Sequence, residues 1–204
     1  VPVHYVRGDV SFPHLKAAPA AAGRHDFELD AILDKIDSGP EGADVLAARD
    51  GVFVGRDDSF FELEAVCAHE RVGIIVGPAG TGKTELAKAF GRWRRDTGAL
   101  DHPDGVFFMS FEPGVASFGL DGVINTFGTR LFDTEFHQLD REQREEVVVT
   151  VLRDHRFLVV WDNFESVHSM PDPHQATAPL EEQERARLKR FVDQIGAPGG
   201  KTTL

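Results

Sequence analysis

Residues 77 to 84 read Gly-Pro-Ala-Gly-Thr-Gly-Lys-Thr, and this run constrains the fold more than any other stretch. It meets the pattern G-x-x-x-x-G-K-[ST] at each fixed position. With glycine near 7% of average usage, those four positions coincide by accident in roughly one chain in a hundred of this length. The flanks agree with the motif. Val72, Ile74, Ile75 and Val76 form a short apolar run before it, as a buried strand requires. Glu85-Leu86-Ala87-Lys88-Ala89-Phe90 after it are good helix formers. A bland glycine turn before an ordinary helix would not require Lys-Thr at this offset.

Strand, glycine loop and helix together are the setting for a phosphate cradle. A polyphosphate is well solvated, so a protein must offer many donors at close range to compete with water. Gly77, Gly80 and Gly82 let successive backbone N–H groups turn inward. The following helix adds its positive end and unpaired N–H groups. The expected contact residues are Pro78, Ala79, Gly80, Thr81, Gly82, Lys83, Thr84 and Glu85. Lys83 would place a cation on the β- and γ-phosphates, and the Thr84 hydroxyl would coordinate Mg²⁺.

A second element should reach that metal. Phe157-Leu158-Val159-Val160-Trp161-Asp162 is a nearly continuous apolar run, as expected for a parallel strand covered on both faces. It ends in Asp162, at the edge where open α/β sheets bind ligands. Hydrolysis also needs a group that positions or activates water. Many ATPases carry Glu directly after the Asp, but Asn163 stands there and cannot take a proton. Glu165 is the nearest carboxylate, and is the candidate base or else a solvent-facing loop residue. The proposed catalytic set is therefore Lys83, Asp162 and Glu165, with Thr84 and Asp162 on the metal.

From residue 71 the pattern alternates. A strand at 71–76 and a helix at 82–95 precede a strand at 105–111. Helices at 118–132 and 140–154, a strand at 156–161 and a charged helix at 180–195 follow. This predicts an α/β P-loop fold with a parallel sheet and helices on both faces. Glu181/Arg185 and Glu184/Arg187 sit three or four apart and read as a solvated face. Arg92, Arg94 and Arg95 around Trp93 suit a helix C-terminus. Phe164 to Pro179 reads as an exposed loop.

Upstream lies Val52-Phe53-Val54-Gly55-Arg56-Asp57, a strand end and helix start, with Asp57 or Asp58 as the cap. Together with the loop at 77–84 and Leu158-Val159-Val160-Trp161-Asp162-Asn163-Phe164-Glu165, it resembles the STAND signalling ATPases, relatives of NACHT and NB-ARC modules. Asp57 stands where that family usually has Glu. The resemblance covers residues 50 to 204. It implies that Val54, Gly55 and Arg56 contact the adenosine end of ATP or ADP. It implies a switch that rests with ADP, oligomerises with ATP, and answers to a downstream sensor while driving an upstream effector. In the family a strand beginning near Lys201-Thr202-Thr203-Leu204 inserts between the loop strand and the Asp162 strand. The chain would then stop at its central strand, with low stability and weak or absent hydrolysis for this stretch alone.

Residues 1–50 differ from 51–204. Pro19–Gly23 and Ser38–Gly42 read as linker punctuation, flanking a short amphipathic helix through Phe27, Leu29, Ile32, Leu33 and Ile36. Val1-Pro2-Val3-His4-Tyr5-Val6 reads as a strand and resembles the last strand of CHAT domains, the tail of an upstream effector. The missing initiator methionine suggests a piece of something longer. Net charge is −12, which disfavours a nucleic-acid groove. The single cysteine, Cys67, excludes an intrachain disulfide and suits the cytoplasm. No apolar stretch is long enough to span a membrane. His168 and His174 lack zinc spacing. Three other readings remain open. A small-molecule kinase would carry a lid with paired arginines. An AAA-type motor would have Asp-Glu at 162–163. A non-hydrolysing nucleotide scaffold fits Asn163.

Overall fold

The computed structural model describes residues 55–112, 119–132, 134–167 and 180–204, and the backbone of Val3–His4. Its elements are β1 (Val3–His4), α1 (Asp57–His69), β2 (Ile74–Ile75), α2 (Lys83–Asp96), β3 (Val106–Ser110), α3 (Leu120–Leu131), α4 (Arg141–Asp154), β4 (Leu158–Asp162) and α5 (Glu182–Gly196). Short 3-10 turns lie at Thr134–Gln138 and Phe164–Val167. Val54, the expected helix at 27–36, both linkers and the loop from His168 to Pro179 lie outside the described residues.

The fold is α/β. The two apolar runs, β3 and β4, pair in parallel from Val106↔Leu158 to Ser110↔Asp162. Thr203 bridges Leu158 in parallel on the other side of β4. There the Val159 N–H donates to Thr203 O at 2.8 Å, and Thr203 N–H to Phe157 O at 3.0 Å. Leu204 N–H donates to Arg71 O, and Gly73 N–H to Leu204 O, each at 2.7 Å. Thr203 and Leu204 thus lie between β4 and the stretch leading into β2, as the sequence analysis anticipated for this segment. On β2, β1 pairs antiparallel as Val3↔Ile75 and His4↔Ile74.

Strand side chains alternate between two faces. Phe107, Met109 and Val159 point into a core built with α3, α4 and α5. Val106 and Leu158 point the other way, into a smaller core with Leu63 and Cys67 of α1 and Leu86 and Phe90 of α2. Ile75 packs partly against this second core. Ile74 and Val76 are 46% and 45% exposed, so the expected buried strand holds for one face only. The reason lies in α5, which passes close enough to Val72 that a Cβ on Gly196 would sit 3.3 Å from it. No helix among the described residues extends that cover to Ile74 and Val76.

Helix ends follow their caps. Asp140 accepts from the Gln143 N–H at 2.9 Å, while the Gln143 side chain accepts from Asp140 N–H at 3.0 Å, a reciprocal box that starts α4. At α1 the sequence expectation is corrected. Arg56 occupies the N-cap position without a side-chain cap, and Asp57 and Asp58 fall inside the first turn, where carboxylates favour the helix dipole.

The charged face of α5 is also corrected. Arg187 bonds Glu184 at 3.0 Å, as its spacing implies, but also reaches Glu145 of α4 at 3.0 Å and Asp121 of α3 at 3.3 Å. Its side chain is 13% exposed, so this is a junction of three helices rather than a solvated face. Arg185 donates to Leu180 O at 2.9 Å. Trp93 and Arg94 both bond Glu64 of α1, which ties the end of α2 to its neighbour. Val167 is buried, so the chain after Asp162 does not run wholly through solvent. No helix of the described residues is long and apolar enough to cross a membrane.

Candidate functional site

The loop from Gly77 to Gly82 is shaped by its glycines. Thr81 N–H and Thr81 Oγ1 both donate to Pro78 O, at 3.4 and 2.8 Å, closing a tight turn. Gly80 sits in that turn at φ 77°, a left-handed conformation that a side chain would strain. Gly82 follows at φ 82° and is the N-cap of α2. Glycine offers no side-chain oxygen, and α2 has no side-chain cap. The first helical bond runs from Leu86 N–H to Gly82 O at 2.9 Å. The N–H groups of Lys83, Thr84 and Glu85 are therefore left for something outside the helix.

Lys83 lies over this loop. Its Nζ donates to Gly77 O at 2.8 Å and Pro78 O at 3.2 Å. Thr84 turns toward the sheet instead. Its hydroxyl lies 3.0 Å from both Oδ1 and Oδ2 of Asp162, the last residue of β4, 78 positions away in sequence. The two residues expected to share a metal thus meet. Hard oxygen donors suit Mg²⁺, and neighbouring ligands in its octahedron stand about 3 Å apart at bond lengths of about 2.1 Å. Among the described residues no three His, Cys, Asp or Glu side chains converge on a metal position, so further ligands would be phosphate oxygens and water.

Past Asp162 the chain turns at Asn163, with φ 55°. Asparagine is among the residues that tolerate this left-handed conformation, whereas Glu in its place would be strained. Glu165 stands exposed in the following 3-10 turn. Glu85 lies in the first turn of α2, 3.9 Å from Lys88, and Pro78 and Ala79 are exposed at the loop tip.

The upstream element joins the loop directly. Arg56 Nη2 donates to Thr81 O at 2.7 Å. Between them opens a cavity of about 690 Å³, with Gly55 and Arg56 on one side and Pro78, Gly80 and Thr81 on another. Its third wall is the start of α1, with Asp58, Ser59 and Glu62. Sequence reasoning named Gly55 and Arg56 but missed this wall. Positions 58, 59 and 62 share one side of α1, but no local pattern says that this side meets the loop.

No family model, curated protein or solved structure matches the chain.

Proposed function

We propose that the chain is the nucleotide-binding core of an ATP/ADP signalling switch of the STAND type. It would carry a P-loop fold, act in the cytoplasm, and belong to a larger protein that oligomerises between an effector and a sensor. One observation carries this reading. The Thr84 hydroxyl and the Asp162 carboxylate meet at 3.0 Å beside the uncapped start of α2, with Lys83 over the same loop. The Arg56–Thr81 bond and the cavity beside it support it, because they join the Gly-Arg-Asp element to the loop.

In this reading the free amides of Lys83, Thr84 and Glu85 hold phosphate oxygens. Lys83 exchanges its two carbonyl partners for the β- and γ-phosphates, a stronger charge-assisted contact. Thr84 and Asp162 hold Mg²⁺, which when bound neutralises charge across the phosphates. Glu165 orients or deprotonates the attacking water. ATP and ADP drive a switch only if they bind two conformations with different affinities.

Isothermal titration of MgATP and MgADP tests the assignment. Lys83→Ala abolishes binding, because the loop loses its cation. Asp162→Ala keeps part of the affinity and loses its dependence on Mg²⁺. Lys83→Ala binding ATP as tightly as the parent chain rules the reading out. A second reading, a scaffold that binds nucleotide without hydrolysing it, is favoured by Asn163 at the turn and Glu165 in solvent. Phosphate release under conditions of saturated binding separates the two.

A further inference from the structure

On the sheet face turned toward α2, the paired positions of β3 and β4 change character together. Side chains two apart on a strand share a face, and on this face Val106 pairs with Leu158, Phe108 with Val160 and Ser110 with Asp162. Val106 and Leu158 are buried, Val160 packs partly against the same core, and Lys88 of α2 lies over the Phe108 ring. The third pair is polar on both strands. Solvent at the strand ends does not account for the change, because the opposite face stays apolar beyond that point. There Met109 pairs with Trp161, and Phe111 is 0% exposed against Trp161 and Phe164. The polar pair therefore belongs to the face that meets Thr84, whose hydroxyl lies 3.0 Å from both Asp162 oxygens.

Two backbone bonds hold Ser110 at that place. Phe111 N–H donates to Asp162 O at 2.8 Å, which carries the parallel ladder past Ser110 and keeps the two strand ends level. Glu112 N–H donates to Ser110 Oγ at 3.2 Å, which fixes the hydroxyl at the turn out of β3. A serine hydroxyl has one donor and two acceptor positions, so it can serve more than one partner. Mg²⁺ held by one hydroxyl and one carboxylate keeps several of its waters, and the groups that hold a metal's outer shell tune its affinity. Resting on the nucleotide reading above, we infer that Ser110 is a positioning residue of the Mg²⁺ site. Its hydroxyl, level with Asp162 on the neighbouring strand, holds a water of the Mg²⁺ shell.

The test is ATP binding to the full 204-residue chain by isothermal titration, once with saturating Mg²⁺ and once in EDTA. In Ser110→Ala the affinity with Mg²⁺ falls about tenfold, the low end of what outer-shell partners contribute, while the affinity in EDTA equals the parent's. Ser110→Thr keeps the hydroxyl and stays near the parent in both conditions. In an Asp162→Ala background, which already lacks the Mg²⁺ dependence, Ser110→Ala changes nothing further. Circular dichroism checks that each variant is folded. An unchanged affinity with Mg²⁺ in Ser110→Ala overturns the inference and leaves the nucleotide reading standing. So does an equal loss with Mg²⁺ and in EDTA, which marks the hydroxyl as a support for the turn at Glu112 alone. A parent chain whose affinity ignores Mg²⁺ overturns the metal assignment and this inference together. If the parent binds ATP in neither condition, the nucleotide reading falls and the inference falls with it.

Discussion

Gly128 shows how tightly single residues are fixed here. It lies on α3, where an added Cβ would overlap the Phe136 ring, itself 0% exposed. Phe136 also stacks on Phe132 at 4.7 Å, so it has little room to retreat. Gly128→Ala is expected to destabilise by about 1–3 kcal/mol despite alanine's better helix propensity, measured by denaturant unfolding. Cys67 makes the opposite case of a residue that is quiet because it is enclosed. Burial pushes its pKa up to about 11. It is therefore a neutral thiol at ordinary pH and resists alkylation until the chain opens. Iodoacetamide labelling that tracks the unfolding curve supports this; fast labelling of the native chain refutes it. Lys83, Thr84 and Asp162 were legible in the sequence because each belongs to a local pattern, a loop or a strand end. Ser59 and Glu62 were not, because only the fold brings α1 against the loop.

At the scale of elements, the contacts between helices and strands set the response to acid. Asp101 follows α2 and accepts from Arg156 N–H at 2.8 Å and Arg156 Nε at 2.7 Å, just before β4. Partial burial alone would raise its pKa. The two Arg156 hydrogen bonds and the nearby Arg156 and His155 charges outweigh that, so it titrates below its usual 3.8. Asp121 behaves alike: burial raises its pKa, while Arg141 and Arg187 lower it further. A carboxyl with a lowered folded pKa contributes stability above its unfolded pKa and loses it as pH falls through the folded value. The melting temperature should thus fall from neutral pH to about pH 3, and fall less in Asp101→Asn than in the parent. Equal slopes would exclude the role given to Asp101. The alternation of strands and helices was readable to within a few residues. The Arg187 junction was not, since three or four residue spacing reports a helix face without saying what packs against it.

At the scale of the whole molecule, the two faces of the sheet are unequal among the described residues. Among the described residues, the core with α3, α4 and α5 contains 19 buried residues and the core with α1 and α2 contains seven. Local stability follows such burial. Amides of α1 should exchange with deuterium before those of α4 and β4. In the proposed reading nucleotide touches the weaker side, at α1, the loop and the end of β4. Saturating MgATP should then slow exchange in α1 most and add about 2.7 kcal/mol of stability at a hundredfold excess over the dissociation constant. Protection appearing first in α3 to α5 would contradict that placement.

The loop and Asp162 hang from strands that do not touch, since Thr203 and Leu204 lie between them. Those two residues act as a shim whose thickness gauges the gap between Thr84 and Asp162. A shift of one residue in their register would detune the pair without altering either side chain.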